Sequence, residues 1–194
     1  KIHALNPAQP RLRARAFYLG NHLELRYAIT TYQFNIGLRR VRQIENGLKK
    51  HRLHLSPSIE LTFLYNLAIL YFLAQDYQPA IPFINKILKQ RKSSVRQDIV
   101  DATRLIELVC HFELNNFDLL ESRIRSFNRF LKGNPRKHPY EQILLSGIRK
   151  LMDAPLKLQA AVFKEIKNGF DHMEGATYLI GREELMLWIR SHIE

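Results

Sequence analysis

The chain has 194 residues, of which 46% are hydrophobic, and it carries 30 Lys and Arg against 18 Asp and Glu. This length and apolar content are enough for a continuous core and exclude a disordered chain. No apolar run approaches the roughly 20 residues that span a bilayer. The single cysteine, Cys110, excludes an intrachain disulfide and suits a reducing compartment such as the cytoplasm.

The positive charge is unevenly distributed along the chain. Residues 1–137 carry a net charge of +13, whereas residues 138–194 carry −1. We therefore expect any basic binding surface in the first two-thirds, where it would suit nucleic acid, an anionic membrane surface or an acidic protein.

Apolar residues recur at helical spacing between short polar turns, which predicts an all-α protein of about nine helices without strands. Ser56 and Pro57 are typical of a helix start, and Asp76 is expected to cap the helix that follows it. Connections of two to four residues favour antiparallel neighbours. The predicted helices cover about residues 11–28, 32–53, 57–73, 77–91, 96–114, 117–131, 139–152, 155–170 and 182–193.

Residues 61–94 carry a helix–turn–helix pattern, LTFLYNLAILYFLAQDYQPAIPFINKILKQRKSS. Ala68 and Ala80 are small residues where two helices can cross closely, with large apolar groups filling the grooves around them. The stretch resembles the tetratricopeptide repeat, in which two such small residues face each other across the hairpin. The resemblance implies antiparallel helix pairs stacked as a right-handed solenoid. The matching large residues are Leu67, Tyr71, Tyr77, Ile84 and Ile87.

Two weaker copies flank this repeat. Gly37 takes the small-residue role upstream, whereas Leu120 replaces the small residue downstream. We predict one helical-repeat domain over residues 1–194, with a first helix pair (1–55), the best repeat (56–94), a degenerate repeat (95–133) and C-terminal capping helices (134–194). Trp188 in the last helix is expected to be at least half buried.

A second resemblance covers about residues 20–194. It is carried by LSPSIELTFLYNLAILYF, by Val95-Arg96-Gln97-Asp98, by HFELNNFDLLESRIRSFNRFL and by the final Leu187-Trp188-Ile189. These stretches are similar to uncharacterised tetratricopeptide-like proteins common in Bacteroidetes. The resemblance implies a helical-repeat fold and a C-terminal piece of a longer protein, and it implies no known activity.

The residues do not predict an enzyme, a cofactor or a metal site. The glycines never fall in a phosphate-binding spacing, and no zinc pattern occurs. Glu107, Cys110 and His111 share a helix face that could ligate a metal, but a core histidine beside a carboxylate four residues away is the commoner arrangement. Cys110 is better explained as a small buried residue than as a nucleophile.

The leading hypothesis is a non-enzymatic scaffold or adaptor that binds a protein or peptide, with an acidic one matching the charge. In a helical-repeat solenoid the first helices of the pairs line a concave groove. Asn66 has a second interpretation as a structural hydrogen-bonding residue. The predicted groove residues are Thr62, Tyr65, Asn66, Ile69, Arg96, Arg104 and Glu107.

The alternative is a nucleic-acid-binding or regulatory module. Basic ends of the second helices would align into one ridge that contacts phosphates. The competing explanation is that cations are favoured at helix C-termini by the helix dipole. Aromatic platforms for bases are not expected, because Tyr71, Tyr77, Phe117 and Phe127 are assigned to the repeat core. The predicted ridge comprises Arg39, Arg40, Arg42, Lys89, Arg91, Arg129 and Lys132.

Overall fold

The structure, a computed structural model, describes residues 9–90, 96–133, 139–173 and 180–193. These residues form ten α-helices and one 3₁₀ turn, with no strand among them, which confirms the all-α prediction. The helices are α1 (Pro10–Thr30), α2 (Phe34–Leu38), α3 (Val41–His51), α4 (Pro57–Leu73), α5 (Tyr77–Leu88), α6 (Gln97–Glu113), α7 (Phe117–Gly133), α8 (Pro139–Asp153), α9 (Leu156–Asp171) and α10 (Arg182–Ser191).

The start of α4 follows the sequence signal. The Ser56 hydroxyl accepts a hydrogen bond from the Ile59 backbone N–H at 3.4 Å, and Pro57 is the first helical residue. Asp76 does precede α5, but its side chain makes no capping hydrogen bond, so that part of the prediction is wrong. Gln75, at φ 57°, adopts the left-handed conformation that often ends a helix.

The predicted second helix is not continuous. It breaks between α2 and α3 at Arg39 and Arg40, and a 3₁₀ turn (Arg52–His54) follows α3. The Arg40 N–H bonds at 2.9 Å to the carbonyl three residues back, on Gly37, which tightens the backbone and redirects the chain. Gly37 has the predicted small-residue role, because an added Cβ would lie 2.7 Å from Leu70 Cδ1.

The chain divides into two compact units, Lys1–Ile99 (the first unit) and Val100–Glu194 (the second unit). In the first unit α4 is the central helix, since α1, α2, α3 and α5 all pack against it. Its sequence is apolar on nearly all sides, as expected of a helix with neighbours all round. Phe63, Leu67 and Leu70 are completely buried there.

In the second unit α8 packs on α9, and α9 packs on α10. Gly147 allows α8 to approach α9, because a Cβ at this position would lie 2.3 Å from Ile166 Cγ1. Trp188 of α10 is 3% exposed, which confirms the predicted burial. Within the described residues, no helix has the length and apolar character that crossing a membrane requires.

Candidate functional site

The predicted groove residues of α4 do not face outward. Tyr65, Asn66 and Ile69 are 7%, 4% and 1% exposed, so their predicted orientation is wrong. The physical reason is the central position of α4, which has neighbours on several sides instead of one free face. Thr62 alone among the four α4 positions is partly exposed, and its hydroxyl donates to the Ser58 carbonyl at 2.9 Å.

The second interpretation of Asn66 agrees with its contacts. Its Nδ2 lies 3.5 Å from Nδ1 of His22 on α1. Burial and the positive charge of Arg26 lower the pKa of His22, which favours a neutral ring that can accept this hydrogen bond. Asn66 therefore links α4 to α1 in the interior of the first unit.

The structure brings together Thr62 and Arg96 from the predicted groove. Arg96 Nη1 donates to the Thr62 hydroxyl at 3.3 Å, and Arg96 Nη2 pairs with Asp98 at 3.1 Å. Arg96 has a φ of 59°, a left-handed conformation that is uncommon for a residue with a side chain. The two contacts hold the start of α6 against α4.

Arg104 and Glu107 belong to the second unit, where both make contacts between α6 and α7. The Arg104 guanidinium lies 4.6 Å from the ring centroid of Phe130. Glu107 is 5% exposed and pairs with Arg123 at 3.1 Å. Burial raises the pKa of Glu107, and the positive charges of Arg123 and Arg104 oppose that rise.

The helix face of Glu107, Cys110 and His111 is interior. Cys110 is fully buried, and burial raises the pKa of its thiol, which therefore stays protonated at neutral pH. Burial and the charge of Arg123 lower the pKa of His111. Across the described ranges, no three His, Cys, Asp or Glu side chains are grouped as metal ligands would be.

The basic residues near α3 have a different setting from the predicted one. Arg40 and Arg42 lie at the N-terminus of α3, where the C-terminal dipole explanation does not apply, whereas Arg39 directly follows the last residue of α2. Arg40 is balanced by Glu24, with a 2.7 Å ion pair. Arg39 and Arg42 are exposed.

The rest of the predicted ridge is spread over both units. Lys89 ends α5 in the first unit, whereas Arg129 and Lys132 lie near the end of α7 in the second. Arg91 lies outside the described residues.

Phe117 is 40% exposed, so its assignment to the core is wrong.

A row of exposed apolar side chains on α1 was not predicted from the sequence. Leu12, Leu19, Leu23 and Tyr27 are 42–60% exposed and are here called the α1 stripe. The opposite side of the helix holds the buried residues, including Leu25 and Ala28. The sequence contained this signal, because α1 has apolar residues on two faces, whereas packing against the core of the first unit buries only one of them.

An open groove of about 720 Å³ runs beside the α1 stripe. Arg11, Arg15 and Leu19 line it from α1, and Leu55 and Ile59 line the opposite wall. Its surface is therefore both cationic and apolar. Leu53 on the same wall is 92% exposed.

A smaller groove of about 390 Å³ lies between α8 and α9 in the second unit. Ser146, Lys150 and Glu165 are among its lining residues. Lys150 and Glu165 form an ion pair with each other, so the two charges at this groove are already matched.

Comparison with known proteins gives no relative from which a role can be transferred. The chain matches no family model, no curated protein and no solved structure.

Proposed function

We propose that this chain is a non-enzymatic adaptor that binds another protein. The observation that carries the proposal is the α1 stripe, in which Leu12, Leu19, Leu23 and Tyr27 remain exposed. The proposed binding surface is therefore the exposed side of α1. It is not on α4, because Tyr65, Asn66 and Ile69 were predicted to face a groove but are buried.

The stripe is not required by the core of the first unit. α1 packs on α4 through its other side, where Leu25 and Ala28 are completely buried. These leucines keep about half of their surface in water. Covering each one would contribute roughly 1 kcal/mol to the free energy of binding a partner. Continuous exposed apolar surface beside polar groups is typical of an interaction site.

The titratable groups favour binding over catalysis. The groups with displaced pKa values near Glu107, Cys110 and His111 lie in the interior of the second unit, and none of the three lines a described groove. An acid, base or nucleophile has to reach its substrate, usually in an open pocket. Buried groups of this kind are better explained by packing between α6 and α7.

Affinity capture from the native cell tests the proposal. The full chain is compared with the double variant Leu19→Glu, Leu23→Glu and with the control Leu156→Glu, which changes a leucine that is 86% exposed on α9. We expect the wild type and the control to capture the same protein, with or without nuclease treatment. The double variant should not capture it. Capture that is the same for all three chains would contradict binding through α1.

A second candidate function is nucleic-acid binding. Its support is Arg42, which is exposed in the first turn of α3, where the helix dipole does not explain it, together with the exposed Arg39 at the end of α2. Against it, Arg40 between them is already paired with Glu24. A salt titration of nucleic-acid binding separates the two candidates.

A further inference from the structure

We infer that the partner of the α1 stripe is an amphipathic α-helix that carries Asp or Glu along one edge of its apolar face. This inference rests on the proposed function and adds the chemistry of the partner. It depends on three observations: the spacing of the stripe, the arginines along one of its edges, and the groove beside that edge.

The spacing of the stripe fits a helix laid along α1. Leu12, Leu19 and Leu23 lie within about 40° of one another around the helix axis, and Tyr27 continues the same line. From Leu12 to Tyr27 the stripe is about 22 Å long, or four helical turns. A partner helix with apolar residues every three or four positions presents a matching row over this length.

Positive charge follows one edge of the stripe. Arg15 and Arg26 fall on that edge by helical spacing, and Arg11 lies farther round on the same side. No carboxylate of the described residues is within ion-pair distance of these three arginines. On the other edge, Arg13 has an interaction of its own and Glu24 is paired with Arg40. The unmatched positive edge therefore selects an acidic edge on the partner.

The groove lies on the arginine side and adds depth to the surface. Arg11 and Arg15 line it together with the apolar side chains of Leu19, Leu55 and Ile59. A large apolar side chain that projects from the partner helix can enter this groove while neighbouring carboxylates meet the arginines. A buried apolar anchor within a polar rim is the usual arrangement at a protein interface.

The charge argues against a second copy of this chain as the occupant. Residues 9–90 contain 12 Lys and Arg but only four Asp and Glu. Two copies docked through α1 would bring like charges together, which disfavours association. A flat bilayer surface is also a poor fit, because it cannot fill a concave groove of about 720 Å³.

A designed peptide tests the inference with the full chain. The peptide is a helix of about 18 residues with Leu at every third or fourth position and Glu along one edge. A matched peptide has Lys in place of Glu, and a third keeps the composition with the leucines scrambled. Fluorescence anisotropy at physiological salt measures the binding of each peptide to four chains. These are the wild type, the double variant with Leu19→Glu and Leu23→Glu (the leucine variant), the double variant with Arg15→Glu and Arg26→Glu (the arginine variant), and the control Leu156→Glu.

We expect the wild type and the Leu156→Glu control to bind the Glu peptide at least about tenfold more tightly than the Lys peptide. The leucine variant should lose both peptides, and the arginine variant should lose or reverse the preference. The scrambled peptide should bind to none of the chains. Equal binding of the Glu and Lys peptides, or no binding of the Glu peptide by the wild type, would overturn the inference.

Two further measurements test a lipid bilayer and a second copy of this chain as occupants of the α1 stripe. Sedimentation with vesicles that contain phosphatidylserine, and analytical ultracentrifugation of the chain alone, are made on the wild type and the leucine variant. Vesicle binding or dimer formation that disappears in the leucine variant would also overturn the inference. If affinity capture finds an α1-dependent protein but the Arg15→Glu, Arg26→Glu variant retains it, the proposed function stands and the acidic helix is wrong. If capture finds none, the proposed function itself fails.

Discussion

Trp188 Nε1 donates a 2.6 Å hydrogen bond to Glu113 Oε1, and this bond joins α10 to the end of α6. The indole also makes edge contacts with Phe112 and Phe163, at ring-centroid distances of 6.2 and 5.1 Å. A buried tryptophan needs an acceptor for its N–H, because an unsatisfied buried donor costs free energy. One carboxylate therefore ties the last helix to α6.

Glu113→Ala should lower the free energy of unfolding by roughly 1–3 kcal/mol, because it leaves the Trp188 N–H without its acceptor. Glu113→Gln keeps an acceptor oxygen and should cost less. Urea unfolding monitored by the fluorescence of the single tryptophan measures both variants, and the folded wild type should emit at the short wavelengths of a buried indole. Equal unfolding midpoints for Glu113→Ala and the wild type would contradict the role of this bond.

The stability of the second unit should depend on pH through His192. Its ring stacks on Phe163 at 4.4 Å, and its Nε2 lies 3.2 Å from Glu113 Oε1. The hydrogen bond to Glu113 raises the pKa of His192 in the folded chain. A raised folded pKa means that protonated His192 stabilises the fold below its ordinary pKa of about 6.5, and that this contribution is lost as pH rises through the folded value.

His192→Gln should therefore lose more unfolding free energy relative to wild type at about pH 5.5 than at about pH 8.5. His172→Gln is the control, since that histidine is exposed and bonds the backbone carbonyl of Asn168. Urea unfolding at both pH values supplies the comparison. A loss for His192→Gln that is the same at both would show that the ring contributes by packing alone.

Ala80 of α5 is predicted to pack against Ala68 of α4, as the paired small residues of the repeat imply. Both side chains are buried, at 0% and 1% exposed. Ala80→Leu should overpack this position and cost roughly 1–3 kcal/mol of unfolding free energy. Gln78→Leu adds a leucine at an exposed position of the same helix and should have little effect. An unchanged midpoint for Ala80→Leu would argue against the close crossing.

Gly47 of α3 should not tolerate alanine. A Cβ at this position would lie 2.0 Å from Cε2 of Phe17, so the partly buried ring would have to move. Alanine normally favours a helix over glycine by about 1 kcal/mol, but overpacking here should reverse the sign and destabilise the fold by roughly 1–2 kcal/mol. Gly133→Ala at the end of α7 meets nothing within 4 Å and should be neutral or slightly stabilising. Thermal unfolding of the two variants tests whether only Gly47→Ala is destabilised.

Nucleic-acid binding should be weak, indifferent to base sequence and lost as salt rises. The measurement is a salt titration of binding to mixed single- and double-stranded RNA and DNA, repeated with Arg39, Arg40 and Arg42 changed to Gln. A phosphate-binding surface with six to ten contacts would lose on the order of 10³–10⁵ in affinity between roughly 50 and 200 mM salt, starting from tight binding. Submicromolar binding near 150 mM salt that collapses in the triple variant would favour the nucleic-acid candidate over the adaptor.

Local signals in the sequence were enough for the all-α class and for most helix positions. Ser56 and Pro57 mark the start of α4 through contacts with their own neighbours, and the apolar period of α10 predicted the burial of Trp188. These features depend on residues a few positions apart, so a single sequence contains their cause.

The choice of which apolar face is covered depended on the tertiary structure. Tyr65 and Ile69 are buried, whereas Leu19 and Leu23 are exposed, although all four are large apolar or aromatic residues on helices. The break at Arg39 and Arg40 likewise accompanies the close fit of Gly37 against Leu70, a contact between residues far apart in sequence. Periodicity places residues on one side of a helix, but only the packing of α1 and α4 against each other decides which side meets the core and which stays exposed.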